Sequence, residues 1–198
     1  MPPKVDVADE RRAQIIEAAL ACFARKGYHR TKMDDIVAES GLSKGSLYWY
    51  FKSKKEIFLA TITSFFQQME VSLEEILQSD LAPTEKLRAI ARSVASGVEK
   101  ARPFISVMLD FWSHTYHEEE IYQLLQEIYR PYAAVLTTII EEGIRQGEFR
   151  QVNAEHVASL LIAVYDGIVM QLLLNPEQID ITAWTETMLN VLLEGLHH

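Results

Sequence analysis

The chain has 198 residues, of which 48% are hydrophobic, and a formal net charge of −9. This length suits one or two domains with a sizeable core, and a mean hydropathy near zero argues against disorder or a membrane-embedded protein. We expect no transmembrane span, because no apolar run approaches ~18 residues, and no secretory signal at the N-terminus. The single cysteine, Cys22, excludes an internal disulfide framework and favours a reducing cytoplasm.

The charge is unevenly distributed along the chain. Residues 1–55 contain eleven Lys and Arg against seven Asp and Glu, giving +4, whereas residues 56–198 contain eight against twenty-one, giving −13. A basic segment on an acidic body indicates that an anionic partner such as nucleic acid would meet residues 1–55.

The first helix is predicted at residues 9–26, where apolar residues recur on one face, and Gly27 ends it. Thr31 is predicted to cap a short second helix at 33–40, with Asp34 completing a capping box. Gly41 can take the left-handed backbone that ends this helix. The result is two helices followed by a glycine turn, which is the beginning of a helix-turn-helix.

A third, very short helix is predicted from Lys44 to about Phe51, capped by Ser43. A helix of two turns is not stable alone in water, so its neighbours must support it. Its residues are polar, small or amphipathic rather than apolar, which favours a recognition helix over a core element. Ser53 with Glu56 then forms a second capping box, at the start of a fourth helix.

The remaining residues predict a helical body. The fourth helix should run from Lys54 to about Gln78 and link the N-terminal helices, the head, to the rest of the chain, the body. The fifth helix should occupy about 83–100, beginning at Pro83. Pro103 should open a sixth. The seventh is expected at about 118–146, kinked by Pro131, the eighth from Asn153 to about Leu174, and the ninth from about Asp180 to Leu196. The predicted fold is therefore all-α, with about nine helices, a head at 1–55 and a body at 56–198.

The first 60 residues resemble the DNA-binding domain of the TetR family of bacterial transcriptional regulators. The matching residues are F-x-x-K-G-Y from Phe23 to Tyr28, Thr31 before D-I-V-A, and G-L-S-K-G-S-L-Y-W-Y-F-K-S-K from Gly41. Beyond residue 60 the resemblance extends to helix order, the kinked seventh helix and the Asp166-Gly167 pair. It implies no enzymatic activity and no cofactor.

The resemblance assigns phosphate contacts to Thr31, Ser43, Tyr48, Tyr50 and Lys54, and groove-facing roles to Lys44, Gly45, Ser46 and Trp49. The physical chemistry agrees, because helix N-termini favour anions and a glycine lets the backbone approach DNA closely. Lys44 is the best candidate for a guanine contact in the major groove. The alternative is that Tyr48, Trp49 and Tyr50 fill core space, but consecutive helical residues point about 100° apart and cannot share one buried face. Leu47 and Phe51 are core under either interpretation.

Aromatic and methionine residues in the body either fill the core or line an apolar effector pocket. They are Phe65, Phe104, Met108, Phe111, Trp112, Tyr129, Tyr132 and Tyr165. Asp110, Asp166 and Glu141 are acidic groups that could meet a cationic ligand. His114, His117 and Glu118–Glu120 lack the spacing of a strong metal motif, so we expect no metal.

The last two helices are the candidates for a homodimer interface, because they could pair with their symmetry mates as a four-helix bundle. The residues that would form it are Val157, Leu160, Leu161, Val164, Ile168, Leu172, Met188, Leu189 and Leu192. Ordinary core packing accounts for part of both helices.

The expected function is that of a cytoplasmic, homodimeric repressor that binds a palindromic operator in double-stranded DNA and is released by a small-molecule effector. Effector binding would shift the fourth helix and so alter the spacing of the two heads. The alternatives are a transcriptional activator, a helical protein-interaction module, and a small enzyme whose acid/base set we do not find. The effector, the operator and the regulated genes do not follow from the residues, and His197-His198 could be a tag remnant.

Overall fold

The structure is a computed structural model that describes residues 5–100, 102, 107 and 119–197, without the side chains of residues 5, 6, 65, 68–72 and 100. Within these ranges the chain forms helices and no strand, which confirms the all-α prediction. The longer helices are α1 (Val5–Lys26), α2 (Met33–Ser40), α3 (Lys44–Tyr50), α4 (Lys54–Leu77), α5 (Pro83–Lys100), α6 (Glu119–Gln146), α7 (Ala154–Leu174) and α8 (Ile181–Leu196). The predicted sixth helix lies outside the described residues, so α6 to α8 are the predicted seventh to ninth helices.

The residues divide into two compact units. The first unit comprises 1–66 and 103–122, and the second comprises 67–102 and 123–198. The sequence predicts a division after residue 55, whereas the structure assigns the first part of α4, up to Phe66, to the first unit.

Local capping sets most of the helix ends, as the sequence predicts. Gly27, Gly41 and Gly147 all have positive φ angles, of 76°, 67° and 75°, and follow α1, α2 and α6 directly. The Ser43 hydroxyl accepts the Ser46 N–H at 3.1 Å and begins α3, and the Asn153 side chain accepts the His156 N–H at 2.9 Å to begin α7.

Two predicted caps are different in the structure. The N-cap of α2 is Lys32 and not Thr31, and the Lys32 N–H donates to the Asp35 carboxylate at 2.8 Å. At the start of α4, Ser53 accepts the Glu56 N–H at 3.1 Å as predicted, but the Glu56 carboxylate accepts the N–H of Lys52 at 2.7 Å. At both helix N-termini, a free backbone N–H group donates to a carboxylate three or four residues further along the chain.

The first unit has an aromatic core that supports the short α3. Phe23, Phe51 and Phe58 are fully buried together with Leu47. The rings of Phe23 and Phe58 meet edge to face at 5.5 Å between centroids, a favoured aromatic geometry. Leu47 and Phe51 are therefore core residues, as the sequence predicts.

The second unit is a bundle in which α5 and α7 both pack against α8. Its core includes Leu87 of α5, Ile139 of α6 and Leu161 of α7, with Leu189 and Leu193 of α8. The buried Lys86 ammonium lies 3.0 Å from the Glu142 carboxylate, so the charge that α5 brings into the bundle is paired.

Candidate DNA-binding surface and effector cavity

The outer face of α3 carries two exposed aromatic side chains. Trp49 is 69% exposed and Tyr48 is 37% exposed, while the half-buried Tyr50 packs edge to face on Trp49 at 4.6 Å. Only Leu47 of this helix is buried. The interpretation of the aromatic triplet as core filling is therefore wrong for Tyr48 and Trp49.

The backbone of α3 is open to solvent at Gly45. A Cβ atom built there meets no atom within 4 Å, and Ser43 and Lys44 on the same end of the helix are exposed. Among the described residues of the first unit, no neighbouring atom therefore requires glycine at this position. An approaching molecule is a physical reason for the missing side chain.

Lys44 forms an ion pair with the first turn of α2. Its ammonium lies 2.7 Å from the Asp34 carboxylate, and the two side chains are 61% and 71% exposed. Hydrogen bonding to Asp34 raises the pKa of the Lys44 ammonium. Solvent screens an exposed pair of this kind, so Lys44 can leave it for a stronger partner.

Thr31 and Lys54 are predicted to contact phosphates, but in the structure their side chains form hydrogen bonds within the first unit. The Thr31 side chain is buried, and its hydroxyl donates to the Gly27 carbonyl at 2.8 Å. The Lys54 ammonium donates to the carbonyls of Tyr28, His29 and Thr31 at 2.6, 3.2 and 2.8 Å. An ammonium has three donors, so Lys54 has none left for a phosphate in this arrangement.

Lys54 also lies over the Tyr28 ring, 4.3 Å from its centroid. Partial burial lowers the pKa of this ammonium. Lys54 therefore ties the start of α4 to the segment between α1 and α2. The sequence shows no signal for this bond, because its partners are backbone groups more than twenty residues away.

Lys52 completes the C-terminal end of α3, a role that the sequence analysis did not assign. Its ammonium donates to the carbonyls of Tyr48 and Trp49 at 2.9 and 3.4 Å. A lysine just beyond a helix commonly donates to the last carbonyls of that helix. The position of Lys52 after α3 could therefore have predicted this role from the sequence.

The predicted effector-binding residues are only partly described. Phe104, Met108, Phe111 and Trp112, together with the side chain of Phe65, lie outside the described residues. The histidines and acidic run considered as a metal site lie there too, apart from Glu119 and Glu120. In the described part of the chain, no group of three His, Cys, Asp or Glu is placed to hold a metal ion.

An open cavity of about 690 Å³ runs along α6 and α7, and its described lining does not include the predicted Tyr132 and Tyr165. Tyr129 lines it directly, and its hydroxyl donates to the Asp166 carboxylate at 3.1 Å. Burial raises the pKa of Asp166 to about 6, and the bond from Tyr129 opposes that shift. Burial also raises the pKa of Tyr165, whose hydroxyl has no hydrogen-bond partner among the described residues.

The nine predicted interface residues on α7 and α8 divide by burial. Leu161, Ile168, Leu172 and Leu189 are buried within the chain itself, so their assignment to a dimer interface is corrected to core. Leu160 and Val164 are exposed, and Val157, Met188 and Leu192 are half-buried.

Three further apolar residues near these helices are exposed and were not predicted, namely Leu174, Trp184 and Val191. In the described part of the chain, α7 is the one helix that is long and apolar enough to cross a membrane, by length and composition only. Interface and core helices of soluble proteins have the same composition. The apolar side chains of α7 thus exceed what the second unit buries.

Comparison with known families assigns both parts of the chain. Residues 15–61 match the family model "Bacterial regulatory proteins, tetR family", and residues 83–197 match "BetI-type transcriptional repressor, C-terminal". The chain belongs to the TetR family of bacterial transcriptional regulators. This confirms the resemblance inferred from Gly41–Lys54 and gives α2 and α3 the role of a DNA-binding helix-turn-helix.

Full-length TetR-family relatives share the whole architecture. The HTH-type transcriptional regulator YfiR of Bacillus subtilis is 30% identical over 94% of this chain and 93% of its own length. FadR of Bacillus subtilis, solved with stearoyl-CoA, is 25% identical, with a TM-score of 0.82 over 93% of this chain and 99% of its own. A regulator from Saccharomonospora viridis, solved with choline, is 26% identical, with a TM-score of 0.84 over 96% and 99%.

Proposed function

We propose that this TetR-family regulator is a cytoplasmic, homodimeric repressor, which binds a palindromic operator through α3 and is released by a small molecule bound in the second unit. The observation that carries the proposal is the α3 surface, where Tyr48 and Trp49 are exposed beside an open Gly45 backbone. The proposal does not require an enzymatic activity.

Ser43, Lys44, Gly45, Ser46, Tyr48, Trp49 and Tyr50 are the proposed DNA contacts. Ser43, Tyr48 and Tyr50 would position the helix on phosphates, while Lys44 would leave Asp34 for a base edge in the major groove. We omit Thr31 and Lys54, because their polar groups are engaged within the first unit.

The proposed dimer forms through the exposed apolar side chains of α7 and α8. Leu160, Val164, Trp184 and Val191 are 48%, 36%, 43% and 64% exposed. Burying them against a second copy removes apolar surface from water, at about 25 cal/mol per Å². A two-fold axis would place two α3 helices in successive major grooves, roughly 34–36 Å apart.

The proposed effector site is the second unit, because two similar proteins were solved with a small molecule, one with stearoyl-CoA and the other with choline. Repression would be relieved if the effector prefers the conformation with weaker operator affinity. α4, which contributes residues to both units, is the helical connection through which such a preference would act.

Footprinting of the full-length protein on the promoter region next to its own gene tests DNA recognition. We expect protection of a palindrome, and no protected site at low salt would contradict the proposal. Lys44→Ala should reduce the preference for that site over a random duplex by about tenfold or more, since one good base contact is worth about 1–3 kcal/mol. Lys55→Ala is the control, because Lys55 belongs to α4 and its ammonium lies 2.6 Å from the Glu120 carboxylate.

Light scattering tests the dimer. Val191→Glu should yield monomers, because it places a charge on an apolar interface. Leu81→Glu is the matched control, since Leu81 is a 45% exposed leucine in the connection before α5 and should remain dimeric. Dimers of Val191→Glu at the wild-type concentration would contradict this interface.

A further inference from the structure

The cavity along α6 and α7 holds one acidic group below the surface. Its wall includes Glu127, Tyr129 and Arg130 from α6, and Ser159 and Asp166 from α7. Glu127 and Arg130 are exposed and of opposite sign, whereas Asp166 is half-buried. The charge inside the cavity is therefore that of Asp166.

The negative charge of the Asp166 carboxylate is stabilised by one hydrogen bond and by no cation among the described residues. The carboxylate accepts the Tyr129 hydroxyl at 3.1 Å, and among the described residues no Lys, Arg or His lies within ion-pair distance of it. A half-buried carboxylate without a cation is costly, and that cost appears as its raised pKa. Such a group in a cavity is a candidate binding determinant.

The surroundings of Asp166 suit a cation with an apolar body. The aromatic ring of Tyr129 and the methyl group of Ala133 line the same wall, and the face of an aromatic ring attracts positive charge. Next to Asp166, the Tyr165 hydroxyl is buried without a hydrogen-bond partner among the described residues. The site thus offers a negative charge and apolar contact.

We propose that this cavity binds a small organic cation, whose charge pairs with the Asp166 carboxylate and whose apolar part lies against Tyr129 and Ala133. The volume of about 690 Å³ is within the range of small-molecule sites. The inference rests on the proposed function, since it names the chemical class of effector that the second unit would take.

Calorimetry on the full-length protein at pH 7.5 tests the charge preference with three probes that share a benzyl or phenyl group. These are benzyltrimethylammonium, neutral benzyl alcohol and anionic benzoate. We expect the cation to bind at least tenfold more tightly than either of the others. Equal or tighter binding of the alcohol or benzoate, or no binding of the cation, would overturn the proposal.

Asp166→Asn tests the residue, because it keeps the shape of the side chain and removes the charge. Cation affinity should fall at least tenfold, while the affinity for benzyl alcohol stays within about twofold, and circular dichroism checks that the variant folds. Glu155→Gln is the matched control, since it removes an exposed carboxylate of α7 that does not line the cavity and should change affinity less than threefold. A retained cation affinity in Asp166→Asn, or an equal loss in Glu155→Gln, would refute the assignment.

The pH dependence gives a second measure. Since the pKa of Asp166 is about 6, roughly a quarter of the carboxyls are ionised at pH 5.5, so cation affinity should be about fourfold weaker there than at pH 7.5. Asp166→Asn should show no such change. Tyr129→Phe removes a bond that favours the carboxylate and should move the midpoint to higher pH; an unmoved midpoint would contradict the role of Tyr129.

DNA binding is measured separately, without any cation. If the protein binds its promoter palindrome but shows no preference for the cation, the effector class is wrong and the regulator function stands. If it binds the cation but protects no DNA, the cavity stands and the proposed function falls.

Discussion

Replacing Lys54 by methionine distinguishes an internal bond from a phosphate contact. Methionine keeps an unbranched side chain, one atom shorter, but cannot donate to the carbonyls of Tyr28, His29 and Thr31, which the ammonium now reaches at 2.6, 3.2 and 2.8 Å. The bond to His29 is exposed and water can replace it, so two part-buried bonds and the contact with the Tyr28 ring are lost. Net of desolvating the ammonium, we expect a loss of about 2–3 kcal/mol.

The assay has two parts. Urea unfolding followed by circular dichroism measures the stability loss, and hydrogen exchange of the amides between Tyr28 and Lys32 places it in the first unit. Anisotropy on a random duplex, as a function of salt, measures phosphate contacts, because each lost contact lowers the slope by about 0.9. For Lys54→Met we expect an unchanged slope once binding is compared under conditions where the variant is folded.

Lys55→Met is the control for this experiment. Its ammonium lies 2.6 Å from the carboxylate of the exposed Glu120, and such a surface pair is worth about 0–1 kcal/mol. A stable Lys54→Met variant with a reduced salt slope would refute the internal role and restore the phosphate contact.

Three further substitutions test other parts of the structure. Gly45→Ala should raise stability by up to about 0.5–1 kcal/mol because a Cβ fits without contact, yet weaken DNA binding; Gly195→Ala, equally open and far along α8, should leave DNA binding unchanged, and parallel behaviour of the two in anisotropy would contradict the close approach. Asp34→Asn frees Lys44 from its ion pair and removes a negative charge beside α3, so affinity for a random duplex should rise several-fold, whereas Glu39→Gln, which breaks the pair with Arg25, should change it less. Asp166 has a folded-state pKa of about 6, above its usual 3.8, so the folded state holds its proton more tightly, and stability falls as pH rises from about 4 to 6, by up to about 3 kcal/mol. Asp166→Asn should lack this fall in urea unfolding at several pH values and be the more stable protein at pH 7.5; identical pH dependence of both proteins would show that Asp166 is not buried as a charge.

Helix boundaries were largely predictable from the sequence, because each depends on groups within about four residues. Ser43 and Asn153 cap the helices that follow them, as the sequence indicates, and Asp180 caps α8 in the same way. Gly27, Gly41 and Gly147 take the left-handed backbone that only local sequence needs to specify. The exposed face of α3 followed from the same local geometry, since three consecutive aromatic residues cannot all face the core.

Tertiary packing decided what local pattern leaves open. Thr31 and Lys54 are at sequence positions suited to bind an anion. In the structure, however, both donate hydrogen bonds to backbone carbonyls of the segment between α1 and α2. Leu160 and Leu161 are equally apolar neighbours, yet one is exposed and the other is core, because the helices packed against α7 determine which of its sides is covered.

The environment of Asp166 in the cavity could not be predicted from the sequence either. Asp166 could be named from the sequence as a possible acid for a cationic ligand, but its partial burial, its bond from Tyr129 and the lack of a cation among its described neighbours arise where α6 and α7 pack together. The sequence by itself determined the helices, their caps and the family. The tertiary structure decided which polar groups are already satisfied inside the chain and which remain available to DNA, to a second copy or to an effector.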